Sequence, residues 1–364
     1  MKILYLPPIP YSGLKQRPQY LAEELAREHE ILYLDPTVSL MKFLLKGGEW
    51  PKGYFYEVSG NLHVARLSGM LSAHRSLEAL WGGIGFPERV QLRKYLRAAD
   101  ALWIGCAPWY GLVQGFRGPV IYDKMDEDRL LTRNGLLRRL IMRTEPRLIA
   151  RADLIFVTAE RFREQMAGCG KTAVLVPNAV DREQAFAHPT PVRTGLEGAR
   201  VFGYVGLVSH WFDMEAIRVV LQADPRNHVL LVGPAEIRLP LHERLHAVGR
   251  VPKRQVGSWV EAFDVCLYPF RRTELLDTID PVKIYEYLAA NKPVLAVRSA
   301  ETKKFGARVV TYGSESELAE LLRGAPFPAP FVREAERREF VLENDWQSRG
   351  AVIRRELENG FVQG

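Results

Sequence analysis

The sequence predicts an α/β protein built as two parallel-sheet halves. A strand, a helix and a second strand fall within the first 35 residues, and such a βαβ unit calls for a parallel sheet. A second strand–helix run begins at residue 201, behind a Pro- and charge-rich piece at 182–198 that reads as a linker. The chain has 364 residues, 47% apolar and 26% charged, which is enough for two globular domains.

The first strand is expected at 2–6 and the first helix at 18–29, with Leu21 and Leu25 on one face. The second strand is 30–35. The turn between them lacks G-x-G-x-x-G, so no dinucleotide fingerprint is present. It carries Gln16-Arg17-Pro18 instead, ahead of a helix N-terminus that could take an anion. Residues 36–87 are rich in Gly, Ser and aromatic clusters and read mostly as loops, with a strand at 61–67. A basic helix at 87–99 and strands at 101–105 and 119–126 follow. The strand at 119–126 ends in Asp123, Asp126, Glu127 and Asp128, and the ends of parallel strands are where α/β sites form. These acids are candidates for a general base or for helix capping. Asp126-Glu127-Asp128 also matches a metal-binding D-x-D, a short pattern common by chance.

The helix at 136–151 places Arg139, Arg143, Arg147 and Arg151 in a basic stripe beside Leu140, Ile141 and Leu148. It is either a solvated face or a face for an anionic membrane, and Pro146 is expected to bend or interrupt it. Strands at 152–159 and 172–181 close the first half. In the second half, a strand at 201–206 carries Gly203 and Gly206, which let backbone approach a phosphate. Asp213 is expected to cap the next helix, and 228–234 is a strand. His242 to His246 spell H-E-x-x-H, a zinc pattern when helical, on a short helix expected ahead of Gly249. The short helix, bounded by Pro240 and Gly249 within an α/β run, does not match the context of a zinc site, so the zinc reading is set aside. Residues 259–270 give a helix and a buried strand ending at Tyr268, followed by Arg271 and Arg272. A strand at 307–312, a helix at 316–324 and a last amphipathic helix at 343–357 complete the chain.

The stretch between carries the most information. Asp280 is a suitable N-cap, Pro281 suits the first helical position, and Asn291 can end the helix in a left-handed turn. Lys283, Glu286, Tyr287 and Ala290 share one face by spacing. A cation in the first turn and a carboxylate one turn deeper suit a diphosphate and a ribose; a capped amphipathic helix with a solvated ion pair has the same pattern.

Composition bounds the partners. The net charge is +7, and the pI is near 9.2, which favours an anionic partner such as a nucleotide or a phospholipid. No zinc-finger spacing or RNA-binding aromatic signature is present, so nucleic acid is not expected. Three widely spaced cysteines point to a reducing compartment, and MKILYLPPIP is too soon broken by Pro to be a secretory signal. A cytoplasmic protein is expected.

The stretch from Asp280 to Val297 resembles the nucleotide-sugar motif of GT-B glycosyltransferases that build bacterial surface polysaccharides, the glycosyltransferase family 4-like group. In that group a Pro-x-Lys-x-x-Glu helix precedes Ala-Gly-Lys-Pro-Val; here Asn291 replaces the Gly. The retaining families carry a second Glu where this chain has Thr278, which argues against a retaining mechanism. Gln16-Arg17-Pro18 and Val-Pro-Asn-Ala-Val-Asp (176–181) are similar to further stretches of the group.

The resemblance implies two Rossmann-like domains facing a central cleft: an acceptor-binding domain at 1–190, a donor domain at 199–342, and a helix at 343–364 crossing back to the first. It implies transfer of a sugar from a UDP- or GDP-sugar to a saccharide acceptor, lipid-linked by family habit, with no metal or other cofactor required. By analogy with the glucuronosyltransferase of xanthan assembly, Asp126 is the base. Arg271 and Lys283 would stabilise the departing diphosphate. Gly206, Arg250, Val251, Tyr268, Arg272, Val282, Lys283 and Glu286 would bind the nucleotide sugar, and Gln16, Arg17 and Asp123 would face the acceptor. A sugar-nucleotide epimerase or a non-catalytic nucleotide-sugar scaffold on the same fold remain alternatives.

Overall fold

The computed structural model describes residues 1–37, 52–68, 86–132, 134–324 and 326–361. Most of the stretch 36–87, expected to be loops with one strand, lies outside these. Contacts divide the chain into two compact units, Met1–Pro177 with Arg349–Gly364, and Asn178–Ser348. The division falls earlier than residue 190. Val180 pairs with Asp345, and Arg337 Nη1 donates to Ala185 O (3.1 Å), so the expected linker begins inside the second unit.

The first unit holds β1 (Lys2–Leu6), β2 (Glu30–Asp35), β3 (Tyr54–Ser59), β4 (Leu62–Arg66), β5 (Ala101–Ile104), β6 (Val120–Lys124), β7 (Leu154–Val157) and β8 (Val174–Leu175). They form one sheet in the order β3-β4-β2-β1-β5-β6-β7-β8. All neighbours are parallel except the β3–β4 hairpin. Strand β3 was expected to be loop. Its residues are mostly exposed, and pairing with β4 rather than its own pattern makes it a strand. Tyr33, Tyr5, Trp103 and Phe156 stack across one sheet face at 5.2–5.5 Å. The helix Gly135–Arg151 runs unbroken through Pro146. Pro146 and Met142, whose carbonyl loses its donor, are both exposed, so water can replace the missing bond.

The second unit holds β9 (Arg200–Val205), β10 (Asn227–Val232), β11 (Leu245–Gly249), β12 (Val265–Tyr268), β13 (Val294–Val297) and β14 (Val310–Tyr312). They make an all-parallel sheet, β11-β10-β9-β12-β13-β14. This is the doubly wound order, whose reversal between β9 and β12 opens a crevice at the strand ends. Gly203 serves the core here and does not face a phosphate: a Cβ there would lie 2.1 Å from the Phe263 ring. No helix among the described residues is long and apolar enough to cross a membrane.

Candidate functional site

The second unit gathers its candidates at the carboxyl ends of β9 to β12. Gly206 leaves β9 with φ +153° and donates its N–H to Val232 O (2.9 Å). Gly233 leaves β10 with φ +139°, and a Cβ there would lie 2.0 Å from Gly206 O. Gly233 N–H in turn donates to Gly249 O at the end of β11 (2.8 Å). Three strand ends thus meet through backbone bonds at glycines, a mouth where a phosphate or a base can approach. The β9 loop is joined to the β12 loop as well: Arg271 N donates to Trp211 O (2.7 Å) and Asp213 N to Pro269 O (2.8 Å). Asp213 caps the helix Met214–Ala223 through Glu215 N (3.0 Å) and Ala216 N (3.4 Å).

The helix Val282–Ala289 lies along this mouth because its apolar face is committed to the core. Ile284, Tyr285, Tyr287 and Leu288 are buried. Tyr287 does not share a solvent face with Lys283. It is fully buried, and its hydroxyl accepts from Val205 N (3.0 Å), which ties the helix to the residue just before Gly206. Burial pushes the Tyr287 pKa far up, so the hydroxyl stays neutral. Lys283 Nζ and Glu286 Oε2 stand 2.7 Å apart, each about 30% exposed. A pair this open contributes at most ~1 kcal/mol, so an arriving diphosphate can take Lys283 at little cost.

Asp280 does not cap this helix; Pro281 holds the N-cap position. The Asp280 carboxylate is fully buried and accepts from Asn178 N, Lys304 Nζ and Tyr285 Oη. Asn291 ends the helix at φ +53°, and its side chain makes two bonds to the Phe331 backbone (3.0 and 3.2 Å) that a Gly could not make. Thr278 is buried, with its hydroxyl on Leu275 O (2.8 Å).

The other predicted donor residues divide. Arg250 and Arg271 are exposed and Val251 is half-buried at the mouth. Arg272 donates to Gly313 O (2.9 Å). Val282 N–H turns back to Asp280 O (3.0 Å), so it is not a free donor for a ligand. Tyr268 is a core residue packed on Phe270 (4.3 Å), which leaves it to support the strand end rather than touch a nucleotide. The H-E-x-x-H residues form no helix. They form a turn running into β11, with His246 Nε2 3.0 Å from His228 Nδ1. Among the described residues no group of three His, Cys, Asp or Glu could hold a metal ion.

In the first unit, Arg17 and Asp123 do not face an acceptor. They form a buried pair: Arg17 Nη2 and Nε donate to the Asp123 carboxylate (2.7 and 3.1 Å), and Arg17 Nη1 donates to Val176 O and Pro177 O (2.8 and 3.2 Å). Gln16 is exposed at the N-cap of the helix Arg17–Leu25, with its N–H on Gln19 Oε1 (3.0 Å). Lys124 is buried and donates to Glu145 Oε1 (2.6 Å), which also accepts from Tyr122 Oη (2.6 Å). Glu127 is buried against Arg129 (3.1 Å), which takes it out of the exposed acidic cluster. That leaves Asp126 exposed at the strand end and Asp128 half-buried in the first turn of the next short helix. Burial, and then the Asp126 carboxylate, push the Asp128 pKa up to about 7.

Sequence reading missed Gly233, Tyr287 as an anchor, and Lys304. The Gly after an apolar run at 228–232 signalled the first; the others carry no local pattern.

No family model matches the sequence. TuaH of Bacillus subtilis, described as a teichuronic acid biosynthesis glycosyltransferase, is 28% identical over 209 residues. That match covers 51% of this chain and 52% of TuaH, so the chain spans about half the length of the curated relative it matches. Among solved structures, HepE of Anabaena in complex with UDP and glucose superposes with a TM-score of 0.65 at 15% identity, over 99% of this chain and 100% of that one. The α,α-trehalose 6-phosphate synthase of Burkholderia multivorans gives a TM-score of 0.67 at 13% identity, over 99% and 98%. The fold is therefore that of the GT-B glycosyltransferases.

Proposed function

We propose that this chain is a glycosyltransferase that moves a sugar from a UDP-sugar to a saccharide acceptor in cell-surface polysaccharide synthesis. The observation that carries the reading is the helix Val282–Ala289, which carries Lys283 and Glu286 and is tied by Tyr287 to Val205, the residue before Gly206, where three strand ends are joined by glycine backbone. The UDP bound in HepE favours UDP over GDP as the nucleotide. The name of TuaH supports the polysaccharide context.

In this reading the diphosphate displaces Glu286 from Lys283, and Glu286 turns to the ribose hydroxyls. Asp126, exposed at the end of β6, takes the proton of the acceptor hydroxyl. The acceptor oxygen then bonds to the anomeric carbon as the bond to the diphosphate breaks. The electron pair leaves on phosphate oxygen, where Lys283 and Arg271 meet the new charge, so side-chain cations carry the neutralisation. The acceptor is lipid-linked. In support, Arg139, Arg143 and Arg147 are exposed on the helix Gly135–Arg151, and none has a hydrogen bond or ion pair among the described residues. Leu136 and Met142 are more than half exposed on the same helix, a basic and apolar face suited to the surface of an anionic membrane.

The test is calorimetric titration with UDP, GDP, ADP and dTDP on wild type and Lys283→Ala, followed by radiolabelled transfer from the matching nucleotide sugars with Asp126→Asn as the control. Binding of UDP that Lys283→Ala loses, and transfer that Asp126→Asn abolishes, are the expected results. A wild type that binds none of the four nucleotides sinks the reading.

A further inference from the structure

Asp280 lies one residue before Pro281 and three before Lys283, and it is fully buried. A buried carboxylate in such a place must be held, and the structure holds it from three directions. Asn178 N–H and Lys304 Nζ both donate to it, and Tyr285 Oη donates at 3.4 Å from within the helix itself. The backbone is held too: Asn178 Nδ2 donates to Asp280 O (3.1 Å), and Val282 N donates to the same oxygen (3.0 Å).

Lys304 is the one cation of this cluster. It follows the short helix Ala300–Lys303 and also reaches Glu301 Oε2 (2.8 Å), with its ammonium 5.3 Å from the centre of the Tyr285 ring. Burial by itself would lower its pKa, but Asp280, Tyr285 and Glu301 together more than reverse this and raise it, so Lys304 is charged at any pH the protein meets. Its two links to the donor helix are the Asp280 carboxylate, just ahead of the first turn, and the Tyr285 ring; the one that reaches the turn carrying Lys283 is Asp280.

Resting on the donor site proposed above, we infer that Lys304 is a positioning residue for nucleotide-sugar binding: through Asp280 it fixes the first turn of the helix that carries Lys283. Remove the ammonium, and a fully buried carboxylate loses its only cation among the described residues. The segment from Asp280 to Pro281 then relaxes toward water and carries the first turn with it. Diphosphate recognition by a side chain in that turn depends on placement to within about an ångström, so a small shift costs affinity at a residue that never touches the ligand.

The experiment compares UDP titration of the full chain as wild type, Lys304→Met, Lys304→Arg and Asn178→Ala, at a temperature well below each melting transition read by circular dichroism. Lys304→Met is expected to weaken UDP at least tenfold. Lys304→Arg, which restores the cation, should bind within about threefold of wild type. Asn178→Ala removes one of the backbone contacts and should give a smaller loss. It keeps the inference testable if Lys304→Met does not fold. A merely structural lysine would lower the melting temperature and leave UDP affinity intact, so wild-type affinity in folded Lys304→Met, or failure of Lys304→Arg to recover it, overturns the inference. If Lys304→Met does not fold, wild-type affinity in Asn178→Ala overturns it. If wild type itself binds no nucleotide, the donor site falls and this inference with it.

Discussion

Replacing Arg17 by Met should destabilise the first unit strongly and leave the donor site alone. Arg17 is about 4% exposed and Asp123 is fully buried, so neither is eased by water. The change strips two charge-assisted bonds from the carboxylate and one donor each from Val176 O and Pro177 O. Removing one partner of a buried pair costs about 3–5 kcal/mol, because the other is left charged and dry. For a unit of this size each kcal/mol moves the melting temperature by roughly 2–4 °C, so the transition should fall by about 6–20 °C. The assay is urea denaturation followed by tryptophan fluorescence, with UDP titration in parallel. Arg17→Lys should recover only part of the loss, since an ammonium cannot reach the carboxylate and both carbonyls at once. The double variant Arg17→Met/Asp123→Leu should be more stable than the single, because no buried charge is left behind. A loss below about 1 kcal/mol, with an altered acceptor KM, would mean that Arg17 faces the acceptor after all and would refute the structural assignment.

Tyr287→Phe leaves Val205 N–H buried without an acceptor; urea titration should show about 1–3 kcal/mol lost from the second unit, together with weaker UDP binding in calorimetry. Gly233→Ala places a methyl 2.0 Å from Gly206 O at φ +139°, so the variant should lose UDP binding with a lowered melting temperature, and wild-type values for both would contradict the described mouth. In the folded protein burial and then the Asp126 carboxylate push the Asp128 pKa up from its ordinary 3.8 to about 7. A raised carboxylate pKa gives stability that is present below about pH 4 and lost as the pH rises through 7. Asp128→Asn should therefore flatten the stability profile across pH 4–7 and be more stable than wild type at pH 8, which denaturation midpoints at each pH will show.

The sequence by itself determined most strands of both sheets. Alternating and apolar runs at 2–6, 30–35, 101–105, 201–206 and 228–234 are strands because their side chains have no other way to leave water, and each occurs close to where its pattern placed it. The donor helix was legible for the same reason: its Lys283–Glu286 spacing and the left-handed Asn291 are local properties of the chain, whereas its cap was not, because the Asp280 carboxylate turns to Lys304 and Pro281 takes the N-cap. Strand β3 was not legible, because an exposed edge strand owes its form to its partner. The helix expected at H-E-x-x-H failed for a related reason, since pairing with β10 holds 245–249 extended. Only the tertiary structure decided which charges are available. Nothing near Arg17 in sequence says that Asp123, 106 residues away, will neutralise it. Nothing near Lys304 says that it will reach Asp280. Local sequence fixes periodicity, caps and turns, whereas the partner of a buried charge is fixed by which strand ends the sheet order brings together.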